Sequence, residues 1–109
     1  MPERGDIVLC VLSGDFGKPR PAVVVQSNLF NPSHASITVC PLTTHLVDAP
    51  LFRLSVSPSQ TNGLHADSQI MVDKVTSIKA EKVREAIGTL SKSQLARLDE
   101  AIKLWLALE

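Results

Sequence analysis

Few side chains in this sequence are equipped for reaction chemistry, and their types narrow what that chemistry can be. Histidine titrates closest to neutral pH, and there are three: His34, His45 and His65. His45, two residues past Thr43, could serve as a general acid or base, whereas His34 and His65 sit in turn-rich segments. Their spacing is not that of metal ligands, and no Gly-rich phosphate loop precedes a helix. Arg20 stands where a Gly- and Pro-containing loop gives way to a valine run. Its planar fork of donors suits a phosphate, although a strand-edge arginine is as a rule simply solvated. Thr43 offers a hydroxyl at a strand end that can donate to a phosphate oxygen but is a poor unassisted base; a plain β-branched strand residue is the commoner role for threonine. Thr44 faces the opposite side if the strand continues. Asp15, five residues before Arg20, could orient that guanidinium, accept a proton, or only shape a turn.

These residues need elements to hold them, and the first two thirds of the chain read as short strands separated by turn chemistry. Residues 7–12 form a continuous apolar run between Gly5-Asp6 and Ser13-Gly14, whose length and β-branching favour a buried strand. Residues 13–19 are a loop, and residues 20–26 a second strand with Pro21 near its start, where a missing N–H is tolerated. Further strands are expected at 36–41, 51–57, 70–72 and 75–78, then a helical turn near 80–83 and a closing strand at 86–90. The tail changes period. Ser91 and Gln94 fit a capping box, and Leu95, Leu98, Ile102, Trp105 and Leu106 share one helical face, predicting a helix over 93–108. Many short strands and one amphipathic helix imply a mainly β fold, a small, strongly bent antiparallel barrel with the helix packed on it. Trp105 is expected in the core or at a dimer contact.

Size and charge bound the rest. At 109 residues the chain fits a single domain, 1–109, and dimerisation would be a natural supplement to so small a core. Hydrophobic residues make up 44% and charged residues 20%, the balance of a compact protein and not a disordered tail. With 11 basic and 11 acidic residues the net charge is zero, which argues against a broad basic coat for nucleic acid but leaves room for a local cationic pocket. No run approaches a membrane span, and the polar N-terminus lacks a signal peptide's apolar core, so a cytoplasmic location is expected. Cys10 and Cys40 lie in apolar strand-like runs without CxxC spacing, the pattern of buried reduced thiols.

Four local patterns, in order, resemble the MazF/PemK (Kid) toxin family. They are Arg4-Gly5-Asp6-Ile7-Val8; Lys18-Pro19-Arg20-Pro21-Ala22-Val23-Val24-Val25; Val39-Cys40-Pro41-Leu42-Thr43-Thr44; and Asn62-Gly63-Leu64 followed by Ser68-Gln69-Ile70-Met71-Val72-Asp73-Lys74-Val75-Thr76-Ser77-Ile78. Each is weak alone, and together they run nearly the whole length, ending in Ile87-Gly88-Thr89-Leu90 and the helix. The resemblance implies a barrel related to SH3 domains and to the gyrase-poisoning toxin CcdB. It implies a homodimer that binds single-stranded RNA in a groove near the interface. Cleavage there uses no metal and no cofactor: a ribose 2′-hydroxyl attacks the adjacent phosphate. The implied antagonist is a cognate antitoxin whose acidic tail fills the groove.

Such an attack requires a base for the hydroxyl, donors for the phosphate oxygens and an acid for the leaving 5′ oxygen; dependence on the 2′-hydroxyl separates RNA from DNA. By resemblance Arg20 and Thr43 are the catalytic pair. Asp15 stands near the family's loop glutamate, but the Glu-Gln pair of relatives reads Asp15-Phe16 here. Asp73 matches an aspartate that one branch uses as base, yet the arginine which that branch places two residues earlier is Met71 here, so Asp73 is expected to hold neighbouring backbone. Phe16 is the candidate for stacking on an unpaired base, the alternative being that it covers the barrel mouth. Lys18, Arg53 and Lys74 or Lys79 are candidate phosphate contacts. The competing readings are a gyrase-inhibiting toxin of CcdB type, acting through exposed helix residues, and a catalytically inactive binding module of the same fold.

Overall fold

The valine- and isoleucine-rich runs become strands that pair antiparallel throughout. In the computed structural model, which describes residues 2–109, the strands are β1 (Asp6–Val11), β2 (Pro19–Val24), β3 (Ser36–Thr43), β4 (Arg53–Val56), β5 (Ser68–Met71), β6 (Thr76–Lys79) and β7 (Val83–Thr89), followed by helix α1 (Lys92–Leu106). The order is β4-β5-β3-β2-β1-β7, with β6 also alongside β3. β3 pairs with β6 over residues 36–39 and with β5 at Leu42 and Thr43. Pro41 falls between those two ladders, where its missing N–H costs no bond to either neighbour. The strand thus changes partners at Pro41 and carries its end, with Thr43, into a second small sheet.

Alternation along the central strands buries both faces. One face presents Ile7, Val23, Cys40 and Leu42 to a core completed by Leu54, Val56 and Ile70 of the second sheet and by Leu98 and Ala101 of α1. The other presents Val8, Cys10, Ala22, Val24, Ile37 and Val39, flanked by Leu12, Ile78 and Val83 from around the curl. The inner set is small and branched, as a tight barrel interior demands. β6 and β7 are joined by only a 3-10 turn, Ala80–Lys82, but no ladder connects them among the described residues. The sheet therefore curls like a barrel without closing. This is the strongly bent antiparallel barrel expected from the sequence, with no ladder between β6 and β7 among the described residues.

α1 starts as the sequence predicts. Ser91 Oγ accepts from the Gln94 N–H at 3.2 Å while Gln94 Oε1 accepts from the Ser91 N–H at 2.9 Å, satisfying two helix-end donors. The helix stops two residues early, at Leu106, because Ala107 turns left-handed at φ +58°. Its stripe also buries less than the periodicity suggests: Leu98 is fully buried, but Trp105 and Leu106 remain about half exposed. Trp105 touches the core's rim through Phe52, ring centroids 5.6 Å apart. Arg4 ties the helix to the sheet, its Nε donating to the Val25 carbonyl at 2.8 Å while Nη2 lies 2.7 Å from Asp99 Oδ1.

Other boundaries shift for identifiable reasons. β2 begins at Pro19, so Pro21 lies inside it, opposite Leu9 of β1 and beyond the stretch paired with β3. Val72, expected to end a strand, instead opens a 3-10 turn, Val72–Lys74. β7 starts three residues before the expected 86 and absorbs two register shifts against β1. Gly63 and Gly88 permit a close crossing. A Cβ on Gly63, at φ +70°, would overlap the Ile87 carbonyl, and one on Gly88 would overlap the Asn62 backbone.

Candidate active site

The β1–β2 loop, the end of β3 and the Val72–Lys74 turn with β6 surround a cleft of about 450 Å³. Asp15 and Arg20 reach it from the loop and the start of β2, Thr43 from β3, and Lys74, Thr76 and Ser77 from the far side. Arg20 and Thr43 are 23 positions apart in sequence and line one cleft because β2 and β3 pair through Ala22↔Pro41. Two residues from that pair in each strand, their side chains flank the same opening.

Each cleft residue is held by specific contacts. Arg20 Nε lies 3.3 Å from Asp15 Oδ1, with the arginine side chain about half exposed. The loop between them is set by two turns, Asp15 N–H to the Leu12 carbonyl at 3.2 Å and Lys18 N–H to the Asp15 carbonyl at 2.9 Å. Thr43 Oγ1 accepts from the His45 N–H at 3.1 Å. A hydroxyl that accepts at its oxygen keeps its one proton free to donate elsewhere. Here that donation can reach an anionic oxygen in the cleft.

Gln69 is a supporting residue that sequence reasoning missed. It faces Thr43 in register on β5, and its buried carboxamide grips the loop beyond Thr43 at both polar atoms. Oε1 accepts from the Val47 N–H at 3.0 Å and Nε2 donates to the Val47 carbonyl at 2.8 Å. The available signal was a long polar residue beside the apolar strand Ile70-Met71-Val72.

The remaining candidates separate. His45 is exposed and off the cleft lining; what it supplies is its backbone N–H. Phe16 does not cover the barrel mouth. It is fully exposed, at φ +53° between Gly14 and Gly17, in a conformation uncommon for bulky residues. Lys18 is exposed beside it. Arg53 is no free phosphate contact: its Nε donates to Asp73 Oδ1 at 3.0 Å and its Nη2 to Asp73 Oδ2 at 3.4 Å, both side chains largely buried. Asp73 accordingly holds a guanidinium and not neighbouring backbone, and it does not line the cleft. Lys79 and His34 lie away from the cleft lining. Trp105 is on the opposite core face with Phe52.

Both cysteines are free and buried. Burial pushes the Cys10 thiol up to about 11, with Asp15 adding to the rise, and the Cys40 thiol up to about 12, Arg4 opposing and Asp73 reinforcing. Neutral thiols of this kind are poor nucleophiles. No cluster of three or more His, Cys, Asp or Glu able to hold a metal occurs among the described residues, and no helix there is long and apolar enough to cross a membrane.

Known proteins share this fold. A family model described as PemK-like, MazF-like toxin of type II toxin-antitoxin system matches residues 3–106. The chain is 37% identical over 106 residues to the probable endoribonuclease MazF of Mycolicibacterium smegmatis, covering 96% of each protein. It is 36% identical to the endoribonuclease MazF9 of Mycobacterium tuberculosis, covering 99% of this chain and 98% of that one. Among solved structures, the Mycobacterium tuberculosis toxin MazF-mt6 superposes with a TM-score of 0.82 at 27% identity, over 95% of this chain and 98% of that one. The chain belongs to the family of PemK-like, MazF-like toxins of type II toxin–antitoxin systems.

Proposed function

We propose that the protein is an endoribonuclease that cuts single-stranded RNA without a metal, through attack of a ribose 2′-hydroxyl on the adjacent phosphate. The observation that carries this reading is the shared cleft: a half-exposed guanidinium and a threonine hydroxyl with a free proton face one opening. Arg20 takes two phosphate oxygens through its terminal nitrogens, and Thr43 donates to an oxygen that gains charge as the phosphorus becomes five-coordinate. Asp15 orients Arg20. Phe16 supplies an aromatic face to a splayed base, and Lys18 a neighbouring positive charge. The endoribonuclease names of the curated relatives support the same activity.

The working form on this reading is a homodimer of a single toxin domain spanning 1–109, acting in the cytoplasm and restrained by a cognate antitoxin. One structural neighbour, 20% identical, is described as an endoribonuclease in complex with its cognate antitoxin. A purified preparation incubated with a long single-stranded transcript in EDTA tests the activity. Cleavage that disappears in Arg20→Ala supports the reading. Intact RNA together with inhibition of gyrase supercoiling would replace it with the CcdB-type alternative, and intact RNA alone with the inactive module.

A further inference from the structure

The cleft has an unbalanced charge. Its charged lining residues are Asp15, Arg20 and Lys74. Asp15 and Arg20 face each other at 3.3 Å, whereas Lys74 has no ion pair among the described residues. A dianionic phosphorane forming in this cleft meets one guanidinium already opposed by a carboxylate and one unopposed ammonium.

Lys74 owes its direction to the residues before it. The turn Val72–Lys74 is anchored by Val72, whose side chain is fully buried and whose N–H donates to the Phe52 carbonyl at 3.0 Å. Val75 N–H closes the turn on the Val72 carbonyl at 3.2 Å. Between these anchors, both carboxylate oxygens of Asp73 are taken by Arg53 from β4, whose register partner is Met71. The turn is thus fastened on the core side through Val72 and Asp73, and Lys74 is left facing the cleft.

We infer that Lys74 is a catalytic residue, engaging the scissile phosphate alongside Arg20, and that Asp73 is its positioning residue, clamped by Arg53. The inference rests on the endoribonuclease reading and extends it. An ammonium acts as a compact point charge, and preorganised charge aimed at a developing oxyanion stabilises the transition state more than the ground state. Asp73, with both oxygens occupied and outside the cleft lining, orients the turn and takes no proton from the substrate.

Single-turnover cleavage of an RNA oligonucleotide containing a mapped cut site tests this, with affinity measured on the same oligonucleotide carrying deoxyribose at that site. Lys74→Met is expected to slow cleavage roughly 10²-fold, the scale of one oxyanion donor, and to flatten the salt dependence of binding by about 0.7, the share of one single-strand phosphate contact. Lys74→Arg is expected to retain most of the rate. Asp73→Asn is expected to slow cleavage less than Lys74→Met, equally at every pH, and to add nothing in the Lys74→Met background, since it works through that ammonium. Lys74 is exposed, so its variants keep the fold; if Asp73→Asn does not fold, Arg53→Lys loosens the same clamp. Wild-type cleavage by Lys74→Met, an undiminished Asp73→Asn effect in that background, or loss of the acidic limb of the pH profile in Asp73→Asn overturns the inference. In each of those cases the nuclease reading survives as long as Arg20→Ala is inactive. If the wild type itself leaves RNA intact, the nuclease reading fails and this inference fails with it.

Discussion

Arg20 meets Asp15 through Nε, 3.3 Å from Oδ1, on a guanidinium about half exposed to solvent. The contact uses the inner nitrogen of the fork, and neither terminal nitrogen has a hydrogen-bond or ion-pair partner among the described residues. A carboxylate on the terminal nitrogens would compete directly with phosphate. One against Nε aims the group and dampens its charge only in part.

From this geometry, Arg20→Ala is expected to lower the cleavage rate roughly 10²- to 10³-fold, and Arg20→Lys to recover only a small part, since an ammonium cannot grip two phosphate oxygens in plane. Asp15→Asn removes only an exposed-side ion pair, a contact of about 0.2–1 kcal/mol, and is expected to slow cleavage less than tenfold. Single-turnover rates on one RNA measure all three. A loss in Asp15→Asn equal to that in Arg20→Ala would show that the carboxylate takes part in proton transfer.

Thr43 and His45 make a second pair with a clear division of labour. Thr43→Val keeps the strand and deletes the hydroxyl that the His45 N–H orients, so the rate is expected to fall at least tenfold, while Thr43→Ser keeps most of it. His45→Ala preserves the amide and is expected to leave both rate and pH profile unchanged. An altered neutral limb in His45→Ala would instead mark the imidazole as a proton carrier.

Phe16 stands fully in solvent at φ +53°, an expensive placement for an aromatic ring that contributes nothing to the core. Phe16→Ala is expected to leave thermal stability unchanged or slightly higher and to weaken binding of a non-cleavable RNA by about 1–3 kcal/mol, the usual worth of one stacked base. Unchanged affinity in a binding titration would exclude the ring from the RNA contact.

The buried thiols predict an alkaline weakness. Folded Cys10 and Cys40 hold their protons to about 11 and 12, against an ordinary thiol value of 9.0. Above pH 9 the unfolded chain therefore binds fewer protons than the folded one, and stability declines as pH rises. Their contribution is complete below pH 9 and is lost as pH climbs through 11–12. Urea titrations at pH 7 and pH 10.5 are expected to show this fall, and Cys10→Ala, although less stable at pH 7, is expected to lose less between the two. An identical decline in that variant would assign the weakness to other groups.

Gly63 tests the close crossing of residues 61–63 and 87–88. Gly63→Ala must place a Cβ into the Ile87 carbonyl while holding φ +70°, so a loss of more than about 2 kcal/mol is expected, above the ordinary range for surface changes. Gly14→Ala, with nothing near its Cβ and also at positive φ, isolates the backbone cost alone. Equal losses in the two variants, read from denaturant midpoints, would mean that the close approach at Ile87 relaxes freely.

The sequence determined the elements, because their signals are local. Valine runs cannot be solvated cheaply and so mark strands, Ser91 and Gln94 satisfy each other's helix-end groups, and Ser13–Pro19 breaks any regular pattern. Ordered motifs were enough to single out Arg20 and Thr43. Only the tertiary structure decided which side chains share a space. The Ala22↔Pro41 pairing brings Arg20 and Thr43 to one cleft, the β4–β5 register puts Arg53 on Asp73, and the turn anchored by Val72 and Asp73 leaves Lys74 facing the same opening. Residue type fixes what a side chain can do, whereas a neighbour contributed by another strand fixes whether it is free to do it. Arg53 and Lys74 look alike as surface cations in the sequence, and they part because one meets a carboxylate across a strand pair and the other meets none among the described residues.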